Sequence, residues 1–275
     1  MFTISALPLW YHFVYIGILG LIIGSFLNVV IYRLHTGKSL SGNSHCLSCG
    51  KNLRALDLIP LVSYLFLRGR CRQCGSYIPV RYFLVELGTA LLFLAAYVTT
   101  DTLAELLYAL AFISVLMVVV VYDIRHFIIP DRLTIALSGL SIGWLVYVYA
   151  QNQESLPMVL NTVLGAFAGT GFLFLLWFVS RGRWIGFGDV KLAFPLGLFV
   201  GGSFVFSMIV YSFWIGAFIS LLLIGLAKIE RGKLYLRFAT PRLTIKSVVP
   251  FAPFLIAGCL LVYYTHFDVL SLFTF

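Results

Sequence analysis

Gly186-Phe187-Gly188-Asp189 runs directly into the apolar stretch 190–200. A carboxylate at the edge of such a stretch is costly to desolvate, and in a membrane setting it marks a functional site. The two glycines permit positive φ and close approach of an extended backbone. The reading of the fold depends on whether the surrounding chain is a membrane protein.

It is. Of the 275 residues 61% are hydrophobic and only 11% charged, against roughly a quarter charged in soluble domains. A hydrocarbon core needs about 20 helical residues, and eight apolar runs approach or reach that length: 9–31, 80–98, 103–121, 133–150, 156–179, 190–200, 204–227 and 248–264. The expected fold is therefore an all-α polytopic membrane protein of about eight transmembrane helices. The sixth run is short, and forms either a half-helix or a longer helix fused to its neighbour through Gly201-Gly202. The first run lacks a basic start and a small-residue cleavage site, so it reads as a retained span and not as a signal peptide.

Charge fixes the expected orientation. Arg33, Lys38, Lys51, Arg54, Arg68, Arg70, Arg72 and Arg81 lie between the first and second runs, and Arg125 and Arg132 follow the third. Arg181, Arg183 and Lys191 follow the fifth or open the sixth; Lys228, Arg231, Lys233, Arg237, Arg242 and Lys246 follow the seventh. These are all 19 basic residues, and eight spans place every one on the same face, which the positive-inside rule makes cytoplasmic. The opposite loops hold only Asp101, Glu105, Glu154 and Asp268. Both termini are then expected outside. The net charge of +9 reads as topology plus attraction to anionic membrane lipids, with no nucleic acid partner required.

Residues 33–80 form the one sizeable polar stretch and carry Cys46-Leu47-Ser48-Cys49-Gly50 and Cys71-Arg72-Gln73-Cys74-Gly75. Two such knuckles present four thiolates to one structural zinc. Cytosolic placement argues against disulfides, and so short a stretch needs metal to supply its folding energy. His45 adjoins the first knuckle as a conceivable substitute ligand, with an exposed histidine the plainer reading. Cys259 reads as a small buried apolar residue. The expected organisation is a first transmembrane helix over 1–32, a cytoplasmic four-cysteine zinc-ribbon-like domain over 33–80, and a seven-helix membrane domain over 81–275.

Polar residues inside the runs are few. Gly24 and Ser25 are small enough for close helix approach. Asn28 reads either as an interhelical hydrogen bond or as a functional amide, and Glu86 either as a buried partner for Arg81 or Arg33 or as the wall of a polar cavity. Asp131, after Pro130, suits a helix N-cap. Pro250 and Pro253 free backbone carbonyls where a groove would tolerate them. Asp123 ends the third run, where a helix dipole disfavours its charge, and by topology it shares a face with Asp189. Paired carboxylates are the acid-protease arrangement: one activates water while the other, protonated, polarises the scissile carbonyl. The dipoles of the two helices make Asp189 the expected ionised base and Asp123 the proton donor.

Gly24 to Arg33, the double CxxC, Asp57-Leu58-Ile59-Pro60 with Gly69-Arg70-Cys71, Val85-Glu86-Leu87 with Thr89-Ala90, Asp123 with Ile129-Pro130-Asp131, Gly186 to Leu192 and Pro250 to Leu255 together resemble the type IV prepilin peptidases of bacterial inner membranes. That resemblance implies Asp123 and Asp189 as the catalytic pair and cleavage of a short basic leader after glycine from prepilins or pseudopilins. It also implies methylation of the new N-terminus with S-adenosylmethionine, for which Gly24, Asn28 and Glu86 are the nominated cofactor-binding residues. A basic leader meets 19 cations and only six acids on the cytoplasmic face, so Asp57 is expected to help to receive it. Alternative classes are a presenilin-like GxGD protease, a proton-coupled transporter, which would carry midplane carboxylates and inverted repeats, and a membrane-anchored zinc-ribbon binding module.

Overall fold

The computed structural model describes residues 8–37, 39, 41–152, 154–229 and 249–272. Lys38 and, in the basic loop, Glu230, Arg231, Lys233, Arg237, Pro241, Arg242 and Lys246 lie outside the described residues, as does Val248 at the start of the eighth run.

The expected all-α fold is found. Among the described residues no strand forms, only two isolated antiparallel bridges, His45 to Asn52 and Arg70 to Tyr77. The helices are α1 (Leu9–Thr36), α2 (Val62–Phe66), α3 (Arg81–Thr99), α4 (Leu103–His126), α5 (Asp131–Ala150), α6 (Leu156–Ser180), α7 (Phe187–Val200), α8 (Val205–Ile229) and α9 (Ala252–Thr265). Every apolar run thus has its own helix. Six of these helices are long and apolar enough to cross a membrane, whereas α7 and α9 have 14 residues each, about 21 Å of helix. The sixth run does not fuse with the seventh: Gly201 breaks the chain at φ 85° and a single 3-10 turn leads into α8.

The chain divides within α4 into two compact units, 1–118 and 119–275. In the first, α1 lies along α3. Gly20 and Gly24 make this contact possible, because a Cβ at Gly20 would lie 2.6 Å from Ala90 Cα, and one at Gly24 would lie 2.8 Å from Glu86 Cα. Small residues of this kind let membrane helices approach where no hydrophobic force drives them together.

In the second unit α7 is the central helix, packed by α5, α6, α8 and α9. Asp189, Val190, Leu192, Ala193, Pro195, Leu196, Gly197, Leu198 and Phe199 are all buried, which is how a helix apolar on every side must sit. Its Pro195 interrupts the backbone ladder, and the Ser141 hydroxyl of α5 donates to the Pro195 carbonyl at 3.3 Å. The bond ties α5 to the centre of α7; the carbonyl that Pro195 leaves without its helical donor is that of Lys191, one turn back.

Candidate functional site

Asp189 lies in the first turn of α7 and Asp123 in the last turn of α4, both in the second unit and both buried, with 7% and 5% exposure. They interact electrostatically. The Gly186 amide donates to Asp189 Oδ2 at 3.2 Å, an orphan N–H of the helix start finding its acceptor. Asp123 has a partner that its own helix does not reveal. The amide of Ala252, first residue of α9, lies within hydrogen-bonding reach of its carboxylate. Both carboxylates therefore face the start of a helix, and the dipole contrast drawn from α4 and α7 alone is offset by α9. Pro253 occupies the first turn of α9, where a missing N–H is no loss. The two prolines shape a helix start beside Asp123.

The GxGD glycines work differently from the expectation. Gly186 has φ −73°, and neither it nor Gly188 adopts a positive φ. Space is what they provide: a Cβ at Gly188 would sit 3.2 Å from Ile129 Cβ, and one at Gly186 would sit 3.2 Å from Asp189 Oδ2. Asp131 also departs from its expected role. It is the first residue of α5, with Pro130 at the cap position and no side-chain capping bond, and its carboxylate pairs with Lys191 of α7. That pair ties the start of α5 to the turn that carries Asp189.

The four cysteines of the first unit converge. Their sulfurs all lie within 4.8 Å of one another, with 3.8 Å between Cys46 and Cys74. Four thiolates at about 2.3 Å from zinc stand about 3.8 Å apart in a tetrahedron, so the cluster fits a structural zinc site. The two knuckles repeat one design. In the first, the Cys46 amide donates to the Lys51 carbonyl and the Gly50 amide to the Cys46 carbonyl; in the second, Cys71 donates to Ser76 and Gly75 to Cys71, all four at 2.9 Å. Gly50 and Gly75 close these turns at φ 72° and 69°, the left-handed region glycine enters freely. The amides of Cys49 and Ser48 pull the Cys46 thiol down to about 6. The Ser76 hydroxyl lowers Cys74 as well. His45 bonds weakly to the Asn43 carbonyl, and Cys259 is fully buried, as expected.

Against these knuckles lies a cavity of about 600 Å³, walled by Ser25, Asn28, Tyr32, Arg33, Tyr64, Tyr82, Phe83 and Glu86, among others, and by Cys46 and Cys71. Two of the three nominated cofactor residues line it; Gly24 is not among its lining residues and packs α1 on α3. Asn28 donates to the Tyr82 carbonyl at 3.1 Å. Glu86, 9% exposed, accepts from the Leu61 amide at 2.8 Å and lies within reach of the Ser25 hydroxyl. Arg33 is occupied elsewhere: its guanidinium donates to the carbonyls of Ser39 and Ser41 at 2.7 and 2.8 Å and of Gly42 at 3.2 Å. It organises the chain leaving α1. Sequence reasoning offered Arg33 as a topological charge and as a partner for Glu86, and assigned no role to Tyr32, Tyr64, Tyr82 or Phe83. Tyr82, beside the Pro79-Val80-Arg81 entry to α3, carried the nearest signal.

Asp57 is also engaged internally. Arg72 donates to its Oδ1 at 2.7 Å and the Arg54 amide to Oδ2 at 3.3 Å. The Arg72 guanidinium holds the Asp57 carboxyl below the usual carboxylate range.

Comparison with known proteins gives the family. Residues 18–100 match the Bacterial Peptidase A24 N-terminal domain, and residues 110–221 the Type IV leader peptidase family. The Prepilin leader peptidase/N-methyltransferase of Bacillus subtilis is 33% identical over 258 residues, covering 93% of this chain and 95% of that protein. The protein of the same description from Pectobacterium carotovorum is 35% identical over 253 residues, 82% and 88% of the two chains, and that from Dichelobacter nodosus 33% over 276 residues, 90% and 89%. No solved structure matches the chain. With two successive domain matches and relatives aligned along nearly its whole length, the chain is a multi-pass membrane protein of the type IV leader peptidase family.

Proposed function

We propose that this protein removes the leader of type IV prepilins or pseudopilins and then methylates the exposed N-terminus. The observation that carries the proteolytic half is the meeting of two buried carboxylates from distant parts of the chain, Asp189 in the first turn of α7 and Asp123 at the end of α4 beside the start of α9. Such a pair shares one proton and titrates as a unit. The ionised carboxylate takes a proton from water, whose oxygen attacks the scissile carbonyl. The protonated carboxyl gives its proton to the carbonyl oxygen, and collapse of the tetrahedral adduct breaks the C–N bond as the amine leaves with a proton. Because the Ala252 amide offsets the dipole contrast, the resting proton belongs to the pair. The charge distribution supports a cytoplasmic position for this site in a bacterial inner membrane, with both termini outside.

The cavity of the first unit supports the second half. Its volume falls within the roughly 300–1,000 Å³ of small-molecule sites, and its aromatic walls suit a nucleoside and a sulfonium cation. Glu86 is a largely buried carboxylate whose identified partners are the Leu61 amide and Ser25 hydroxyl, both neutral, and a cationic ligand would complete it. Glu86 and Asn28 are the residues that would hold S-adenosylmethionine, which when bound supplies an electrophilic methyl group for an amine. The four-cysteine cluster would hold zinc and so keep the knuckle side of this cavity in shape.

The test uses purified protein, a prepilin and S-adenosylmethionine, with product mass as the readout. Asp123→Asn and Asp189→Asn should each abolish cleavage but still methylate a peptide supplied with its leader already removed. Glu86→Gln should cleave and fail to methylate. Full cleavage by either aspartate variant would sink the proteolytic reading.

A further inference from the structure

The segment between the zinc knuckles has two faces. Ser63, Tyr64 and Leu67 of the α2 region line the cavity, with the Tyr64 ring 5.5 Å from Phe83. On the other side Leu56, Ile59, Val62, Leu65 and Phe66 are 66%, 41%, 45%, 62% and 85% exposed. Val62, Leu65 and Phe66 belong to α2, Leu56 to the 3-10 turn 55–58 before it, and Ile59 to the extended link between the two. An apolar patch of this kind, left open in a lobe otherwise rich in charge, marks an interaction surface.

Its depth identifies the partner. Helix α3 has 19 residues, about 28 Å, which leaves no length to spare across a hydrocarbon core of about 30 Å. Arg81 therefore stands at the boundary, and Glu86 begins about 7.5 Å inside it. The Leu61 amide, immediately before α2, bonds to the Glu86 carboxylate at 2.8 Å. Since helical side chains lean toward the N-terminus, this bond pins the segment just under the boundary, in the zone where amphipathic helices bury an apolar face by about 5–10 Å. Exposed Arg54 and Arg68 flank the patch, placed for anionic head groups.

We propose that residues 55–66 form an interfacial membrane anchor, with Leu56, Ile59, Val62, Leu65 and Phe66 in lipid acyl chains and Arg54 and Arg68 at the head groups. The lobe that carries the knuckles is then held to the membrane along its own sequence as well as through α1 and α3. Because lipid contact is read directly, the test of this anchor does not depend on the reaction proposed at either site.

Photo-crosslinking tests it. p-Benzoylphenylalanine replaces Leu65, Phe66 or Tyr77 in the full-length, zinc-loaded protein, reconstituted in vesicles of phosphatidylethanolamine and phosphatidylglycerol. Tyr77 is the control, 76% exposed on the second knuckle. Because Phe66 and Tyr77 are exposed aromatic positions, the label leaves packing intact, and retained zinc confirms a folded lobe. Irradiation should yield lipid adducts at 65 and 66 and none at 77. Absence of lipid adducts at 65 and 66, equal labelling at 77, or crosslinks from 65 and 66 to a second copy of the chain in place of lipid would each overturn the anchor.

Discussion

Replacing Gly24 with alanine puts a methyl group 2.8 Å from Glu86 Cα, 3.1 Å from the Val85 carbonyl oxygen and 3.2 Å from Thr89 Cβ. Carbon atoms rest about 3.5–4.0 Å apart, so α1 must retreat from α3 by about 0.7 Å or more. Overpacking of this kind costs about 1–3 kcal/mol, and the helix propensity of alanine offsets about 0.5–1 kcal/mol of it, which leaves a net loss of up to roughly 2.5 kcal/mol. One turn earlier, Gly20→Ala brings its methyl to 2.6 Å from Ala90 Cα and should lose at least as much. Gly17→Ala meets only the Leu94 methyls at 3.9 Å and should be neutral or slightly stabilised. Thermal unfolding in detergent ranks the three variants, and methyl transfer to a peptide without its leader is measured beside it. Methylation should fall in step with stability, because Asn28 and Glu86 hang from the same α1–α3 seam. If Gly24→Ala keeps the parent melting temperature yet loses methylation, and Gly20→Ala keeps both, the packing account is wrong and Gly24 touches the methyl donor.

Chelation of zinc, or Cys46→Ser, should abolish methyl transfer before cleavage, since Cys46 and Cys71 wall the cavity while the aspartates belong to the other unit; simultaneous loss would refute this. Zinc retention should also fall as pH drops, because protons compete with the metal for the four thiolates. Gly186→Ala, with its Cβ 3.2 Å from Asp189 Oδ2, should slow cleavage about tenfold, the effect of ~1.4 kcal/mol, and leave methylation unchanged; an unchanged cleavage rate would show that the turn relaxes. Asp57→Asn should affect basic and neutral leaders equally, because Arg72 already occupies the carboxylate; a selective defect with basic leaders would restore Asp57 as a leader contact.

The sequence by itself determined the eight apolar helices, the four-cysteine cluster and the candidate aspartates. Hydropathy and motif spacing are local properties, and a run such as 103–121 has few alternatives to a helix in lipid. The basic residues added an orientation because they too are read along the chain. What only the tertiary structure decided rests on contacts between residues far apart in sequence. The burial of most of α7 follows from how α5, α6, α8 and α9 surround it. Asp131 looked like a cap because Pro130 precedes it, yet Lys191 of another helix claims its carboxylate. The GxGD glycines looked like turn residues, but Ile129 and Asp189 itself set the space they must leave. Asp123 looked opposed by its own helix dipole until the first amide of α9 reached it. Glu86 read either as a partner for arginine or as a cavity wall; it lines the cavity and holds the Leu61 amide. A helix period tells which residues share a face; which backbone amide a buried carboxylate meets depends on packing across the chain, because an unsatisfied charge takes the donor the fold brings within reach.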